Sequence, residues 1–239
     1  MLSTFLQYLI VNGVPEYTVV LMLFLPLLAT TVTFSRYILG IKSLTIYASL
    51  LLTFALYELA RNSNGSIDTF RAIVHGGTLI FVTTVIAYIF QSLTKEMRMH
   101  YLAKVTLILT SVCVAVLFLM YAFIQFYNRT FVNLNPLAIV IIILVIDIFM
   151  KGYLRKGPEK SAYLIIQTVG ISYALFFIMS QIEIKDFLLA HPEVVLYSVL
   201  VNIFIGKWKG FRWSEYLRFK NIKLPEPADT YDSTYPEEK

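Results

Sequence analysis

The sequence predicts an all-α polytopic membrane protein, a bundle of seven transmembrane helices with its N-terminus outside and its C-terminus in the cytoplasm. Three observations predict it. Hydrophobic residues make up 58% of the 239 and charged residues only 15%, whereas a globular domain carries about 25% charged residues. The mean hydropathy is +0.70, and the charges cluster between long runs that have none, as in a chain whose solvent is mostly lipid. Lysine and arginine also alternate between rich and poor connections, as the inner and outer loops of a multi-pass protein do.

The apolar segments follow in order: 16–37, 43–59, 72–93, 101–127, 136–150, 161–180 and 187–205. Most approach the roughly 20 residues that cross about 30 Å of hydrocarbon as a helix. The second and fifth are the shortest. Barrel strands would alternate in polarity over about ten residues, and these runs are continuously apolar. Residues 1–13 form a short extracytoplasmic segment, and MLSTFLQYLIVN lacks the basic start of a cleaved signal peptide. Residues 14–224 form the seven-helix domain. Residues 225–239, PEPADTYDSTYPEEK, carry five acidic residues and three prolines, which predicts a disordered cytoplasmic tail. The single cysteine, Cys113, lies within an apolar run, so no intrachain disulfide forms.

The basic residues set the orientation. Arg61, Arg71, Arg129 and Lys185 fall on one side. The other sixteen fall on the opposite side, including Arg36, Lys42, Lys95, Arg98, Arg155 and Lys160. Because Lys and Arg are retained in the cytoplasm, that second side is the inner one.

The last inner segment, 206–224, opens with GKWKGFRWSEYLRFKN. Trp208, Trp213 and Tyr216 are candidate interfacial anchors, since an apolar ring with a polar edge is satisfied in the headgroup layer. The basic residues around them face anionic lipid at the cytoplasmic face, worth on the order of 1 kcal/mol each. This position at a membrane exit leaves no role for nucleic acid. Arg212, Glu215 and Arg218 are candidate partner-docking residues. Glu215 would be repelled by anionic headgroups, yet it is three residues from both arginines and can hold their planar forks on a helix.

Ionisable residues within apolar runs are candidate functional groups, because each costs about 2.5–3.5 kcal/mol at a helix centre. Asp147, Glu58 and His75 are the candidates for intramembrane polar roles. Asp147 precedes Lys151 by four residues and Glu58 precedes Arg61 by three, spacings that suit local ion pairs near helix ends. His75 opens VHGGT, whose glycines permit close helix approach. No catalytic motif, cofactor fingerprint or metal-ligand spacing is present, so an enzyme is not expected. The seventh segment has no lysine for a retinal Schiff base.

Three stretches resemble a bacterial seven-transmembrane domain family usually fused to an inactive transglutaminase-like domain. They are NGVPEYTVVLMLFLPLLATTVTFSRYILGIKSLTIYASLL, VIDIFMKGYLRKGPEKSA and HPEVVLYSVLVNIFIGKWKGFRWSEYLRFKN. Asp147, Gly157-Pro158, His191-Pro192-Glu193, Gly206, Gly210, Arg212, Glu215 and Arg218-Phe219 fit its pattern. Thr45 and Ser49 stand where the family has glycine and proline, and the transglutaminase-like domain is expected to be missing. The resemblance covers roughly residues 13–222 and implies a bacterial inner-membrane protein, with a cytoplasmic ATP-grasp peptide ligase as partner. It supplies no catalytic residues. The expected function is therefore a non-enzymatic membrane scaffold or anchor, with a transporter or ligand-sensing protein as the alternative. The two differ in one observable: transport needs a wet polar path at mid-membrane.

Overall fold

The computed structural model describes residues 2–61, 67–95, 97, 100–126 and 135–207. The chain starts with α1 (Leu2–Val11), turns at Gly13, whose φ of 97° suits glycine, and enters α2 (Glu16–Phe34) behind Pro15. Pro26 lies within α2, and the carbonyl of Pro26 accepts a 2.8 Å bond from the Thr30 hydroxyl. Helix α2 continues as a π-helical turn, Ser35–Leu39, closed by Gly40 in the left-handed conformation (φ 79°).

Thr45 caps α3 (Ile46–Ala60) by accepting from the Ala48 N–H at 3.0 Å. Ten of its fifteen residues are buried. At about 22 Å it falls short of the hydrocarbon thickness, so it holds its place through helix packing on several sides. It contacts α2, α7 (Pro136–Lys156), α8 (Pro158–Met179) and the π-helical turn Ala72–Gly76. The second predicted segment is thus the central helix of the bundle, three residues shorter at its start than the apolar run suggested.

The third span begins as α4 (Thr69–Arg71), capped by the Asp68 side chain, and passes through the Ala72–Gly76 π turn into α5 (Gly77–Lys95). Helix α6 (Tyr101–Phe126) packs mainly on α5 and leaves most of its surface to lipid. The fifth segment is longer than expected. Helix α7 starts at Pro136, in the first helical turn where a missing N–H costs nothing, behind an Asn135 cap on the Leu137 N–H, and runs on to Lys156. Gly157 (φ 81°) then turns the chain directly into α8.

The last predicted span needs correction. Its start at Phe187 falls within α9 (Ile182–Ala190), a separate charged helix. The chain then bends by 98° at residues 191–193 before α10 (Val194–Lys207). Pro192 explains the break, since it offers no N–H and disfavours helical geometry at His191. Helix α10 returns along α2, with Asn202 Nδ2 donating to Thr30 Oγ1 at 2.8 Å.

Among the described residues, five helical stretches are long and apolar enough to cross a membrane. With the short α3 and the bent α9–α10 pair they account for all seven predicted segments, and the protein is a multi-pass α-helical membrane bundle. Leu52, Leu56, Ile142, Ile146, Phe149 and Phe176 lie at its core, from α3, α7 and α8.

Candidate functional site

The two ends of the bundle are chemically distinct. Glu16 opens α2 and Arg36 lies about 30 Å along it. Helix α8 runs the opposite way, so Lys160 shares a cleft with Arg36, and Ser180 shares one with Glu16.

The candidate residues from the sequence do not converge. Asp147 bonds Lys151 Nζ through Oδ2 at 2.6 Å, the local pair the spacing predicted. It sits less than two turns before the Tyr153 end of its span. Glu58 behaves differently. Its Oε2 accepts from Asn135 Nδ2 at 2.6 Å, and the expected Glu58–Arg61 ion pair is not among those of the described residues. The reason is local: α3 ends at Ala60 and Arg61 is extended (φ −73°, ψ 121°), which takes its side chain off the Glu58 face. His75 lies buried in the π turn, its Nδ1 3.0 Å from the Arg71 carbonyl. The neighbouring glycines do permit close approach, because a Cβ on Gly76 would collide with Leu56 and one on Gly77 would lie 3.2 Å from the Tyr173 hydroxyl. Trp208, Arg212, Trp213, Glu215, Tyr216 and Arg218 lie outside the described residues.

What the structure does assemble at the Glu16 end is a cleft of about 520 Å³. Tyr17 and Tyr57 stack with ring planes 9° apart. The Arg61 guanidinium lies over the Tyr17 ring, 3.8 Å from its centre, close enough for a cation–π contact. Lys185 of α9 pairs with Glu16 at 2.9 Å, tying α9 to the start of α2. The Tyr17 hydroxyl is buried without a hydrogen-bond partner among the described residues. Sequence reasoning missed this cleft because its residues come from α2, α3, the segment after α3, and α9. Within each element they look like ordinary helix-end charges and interfacial rings.

Midway along the bundle, hydroxyls join α3 to α8. Ser172 Oγ donates to the Ser49 carbonyl at 3.0 Å and Thr53 Oγ1 to the Ser172 carbonyl at 3.3 Å. Small hydroxyl residues of this kind let helices approach and bond across a membrane interior.

No curated protein and no solved structure matches the chain. A family model matches residues 1–223, nearly its whole length, and is described as seven transmembrane helices usually fused to an inactive transglutaminase. The long apolar spans fit that description, and the chain is a member of this seven-transmembrane family.

Proposed function

We propose that the protein is a non-enzymatic membrane scaffold of the bacterial inner membrane, with its N-terminus outside and its C-terminus in the cytoplasm. Its basic, aromatic segment 206–224 presents a docking face to a cytoplasmic ATP-grasp peptide ligase. The observation that carries this reading is the state of the ionisable candidates. Asp147 and Glu58 are each engaged by a specific side chain and His75 by a backbone carbonyl. The α3–α8 interface between the two ends is bridged by bonded hydroxyls within an apolar core. Transport would require ionisable groups ranged along a wet path, and these three sit apart. The family's usual fusion to an inactive transglutaminase also favours a role in binding over catalysis.

The test is capture of the ligase from native membranes. Arg212→Lys, Arg218→Lys and Glu215→Gln should each weaken capture at matched membrane abundance, since only guanidinium grips a carboxylate at two points. Full capture by all three variants, with Trp208→Ala and Trp213→Ala destabilising the protein, would reduce the segment to a lipid anchor.

The cleft at the Glu16 end favours a second reading, ligand sensing. It combines an aromatic wall, a guanidinium and an ion pair in a space large enough for a small molecule. Amino acids and short peptides that raise the melting temperature of the wild type, and not of Arg61→Ala, would support it.

A further inference from the structure

At the Arg36 end, a cleft of about 530 Å³ lies between the π turn of α2, the linker to α3 and the first turns of α8. Among the described residues, three cations line it, Arg36, Lys42 and Lys160, against one carboxylate, Glu159. Ser43 lines it too. The residue is 2% exposed, and its buried hydroxyl has no hydrogen-bond partner among the described residues. The linker is fixed on both sides of it: the Lys42 N–H donates to Gln167 Oε1 at 3.1 Å, and the Leu44 N–H to Thr168 Oγ1 at 3.0 Å. A buried hydroxyl without a partner is uncommon in a native fold and marks a place for a further acceptor.

A second cavity lies further along the same helix. From Gln167 an apolar groove of about 360 Å³ follows α8 past Gly170, Ala174 and Ile178, with Leu39 and Ile41 on its other wall. Tyr163, Gln167, Gly170, Ala174 and Ile178 succeed one another at helical spacing, so cleft and groove share one face of α8. At Gly170 a Cβ would meet nothing within 4 Å, which leaves the groove open at its middle. From Lys160 to Gly170 this face runs about 15 Å, roughly half the ~30 Å hydrocarbon core, so the near end of the groove lies within one leaflet's depth of the cleft.

We propose that this composite site holds one anionic phospholipid. Its headgroup phosphate lies among Arg36, Lys42, Lys160 and the Ser43 hydroxyl, and one acyl chain lies along α8 over Gly170. The excess of positive charge selects the phosphate, and the hydroxyl supplies a directed bond that an annular lipid would lack. The apolar groove, whose near end lies within one leaflet's depth of the cleft, selects a lipid over a free phosphate. None of these groups belongs to the docking segment 206–224, so the site stands apart from the scaffold reading.

The test is native mass spectrometry of the purified full-length protein in detergent. It is offered phosphatidylglycerol, phosphatidylcholine or inorganic phosphate. One phosphatidylglycerol should be retained in preference to phosphatidylcholine. Replacing Lys42 and Lys160 together with Gln should weaken that retention roughly thirtyfold, since each cation near a headgroup is worth about 1 kcal/mol. Gly170→Phe, which fills the groove, should also release the lipid, while Gly170→Ala should bind as the wild type does. The two exposed lysines keep the test sound should Gly170→Phe fail to fold. Equal retention of both lipids, or unchanged retention in the double lysine variant, would overturn the proposal. Inorganic phosphate bound as tightly as the lipid, and unaffected by Gly170→Phe, would make this a free-phosphate site and overturn the lipid assignment.

Discussion

Asn135 donates a 2.6 Å hydrogen bond to Glu58, joining the cap of α7 to the last turn of α3. The same asparagine caps its own helix through Oδ1, which accepts from the Leu137 N–H at 3.0 Å. One side chain therefore fixes the start of α7 and its height against the central helix. Removing the carboxylate with Glu58→Ala should cost about 1.5–3 kcal/mol, the usual range for a bond to a charged group. Glu58→Gln keeps an acceptor and should cost less than half as much. Chemical unfolding in detergent micelles measures both, and equal losses would show that the bond to Asn135 contributes nothing.

Asp147 and Lys151 form a pair within one helix, with the lysine half exposed and the carboxylate one-fifth exposed. Pairs of this kind contribute at most about 1 kcal/mol. Asp147→Asn should therefore lower stability slightly and leave partner capture intact. Loss of a transport flux in a variant that remains folded would place Asp147 in a conduction path and contradict the scaffold reading.

Two glycines separate packing from propensity. Gly76 faces Leu56, a fully buried residue of α3, with no room for a methyl group, whereas Gly170 faces open space. Overfilling a packed core costs about 1–3 kcal/mol, and alanine regains up to about 1 kcal/mol of helix propensity over glycine. Gly76→Ala should thus be net destabilising. Gly170→Ala should be neutral or stabilising by up to about 1 kcal/mol. Paired melting curves decide it, and a reversed order would mean that the close α3 contact at Gly76 is misplaced.

Asn202 holds α10 against α2 through the Thr30 hydroxyl at 2.8 Å. Interhelical bonds in membranes average about 0.6 kcal/mol and reach about 1.7. Asn202→Leu should fall in that range, and in a Thr30→Val background it should cost almost nothing. Full additivity of the two changes would show that the residues do not interact.

Much of this fold is written in hydropathy alone. The long spans need little beyond continuous apolar runs, because a helix that satisfies its own backbone is the solution lipid imposes. Where the chain departs from that rule, single residues decide. Pro192 breaks the run that looked like one helix from Phe187, and only backbone chemistry shows it. The π turns at Ser35–Leu39 and Ala72–Gly76 leave no mark in hydropathy. Asp147 was legible because its partner lies one helical turn away. Glu58 was not, because its helix ends two residues later, sending Arg61 to Tyr17 and leaving Asn135, 77 positions on, to take the carboxylate. Both clefts are invisible to a sequence reading for the same reason: each is closed by elements distant in the chain.

The central claim is that the basic, aromatic face lies in the cytoplasm, where a cytoplasmic partner can reach it. The most direct measurement replaces Cys113, which is exposed, with Ser and places single cysteines at Arg129 and Arg155. Intact cells are then treated with a membrane-impermeant maleimide. The expected result is labelling at 129 and protection at 155 until the cells are opened. Labelling at 155 with protection at 129 would invert the protein in the membrane and contradict the proposed docking face.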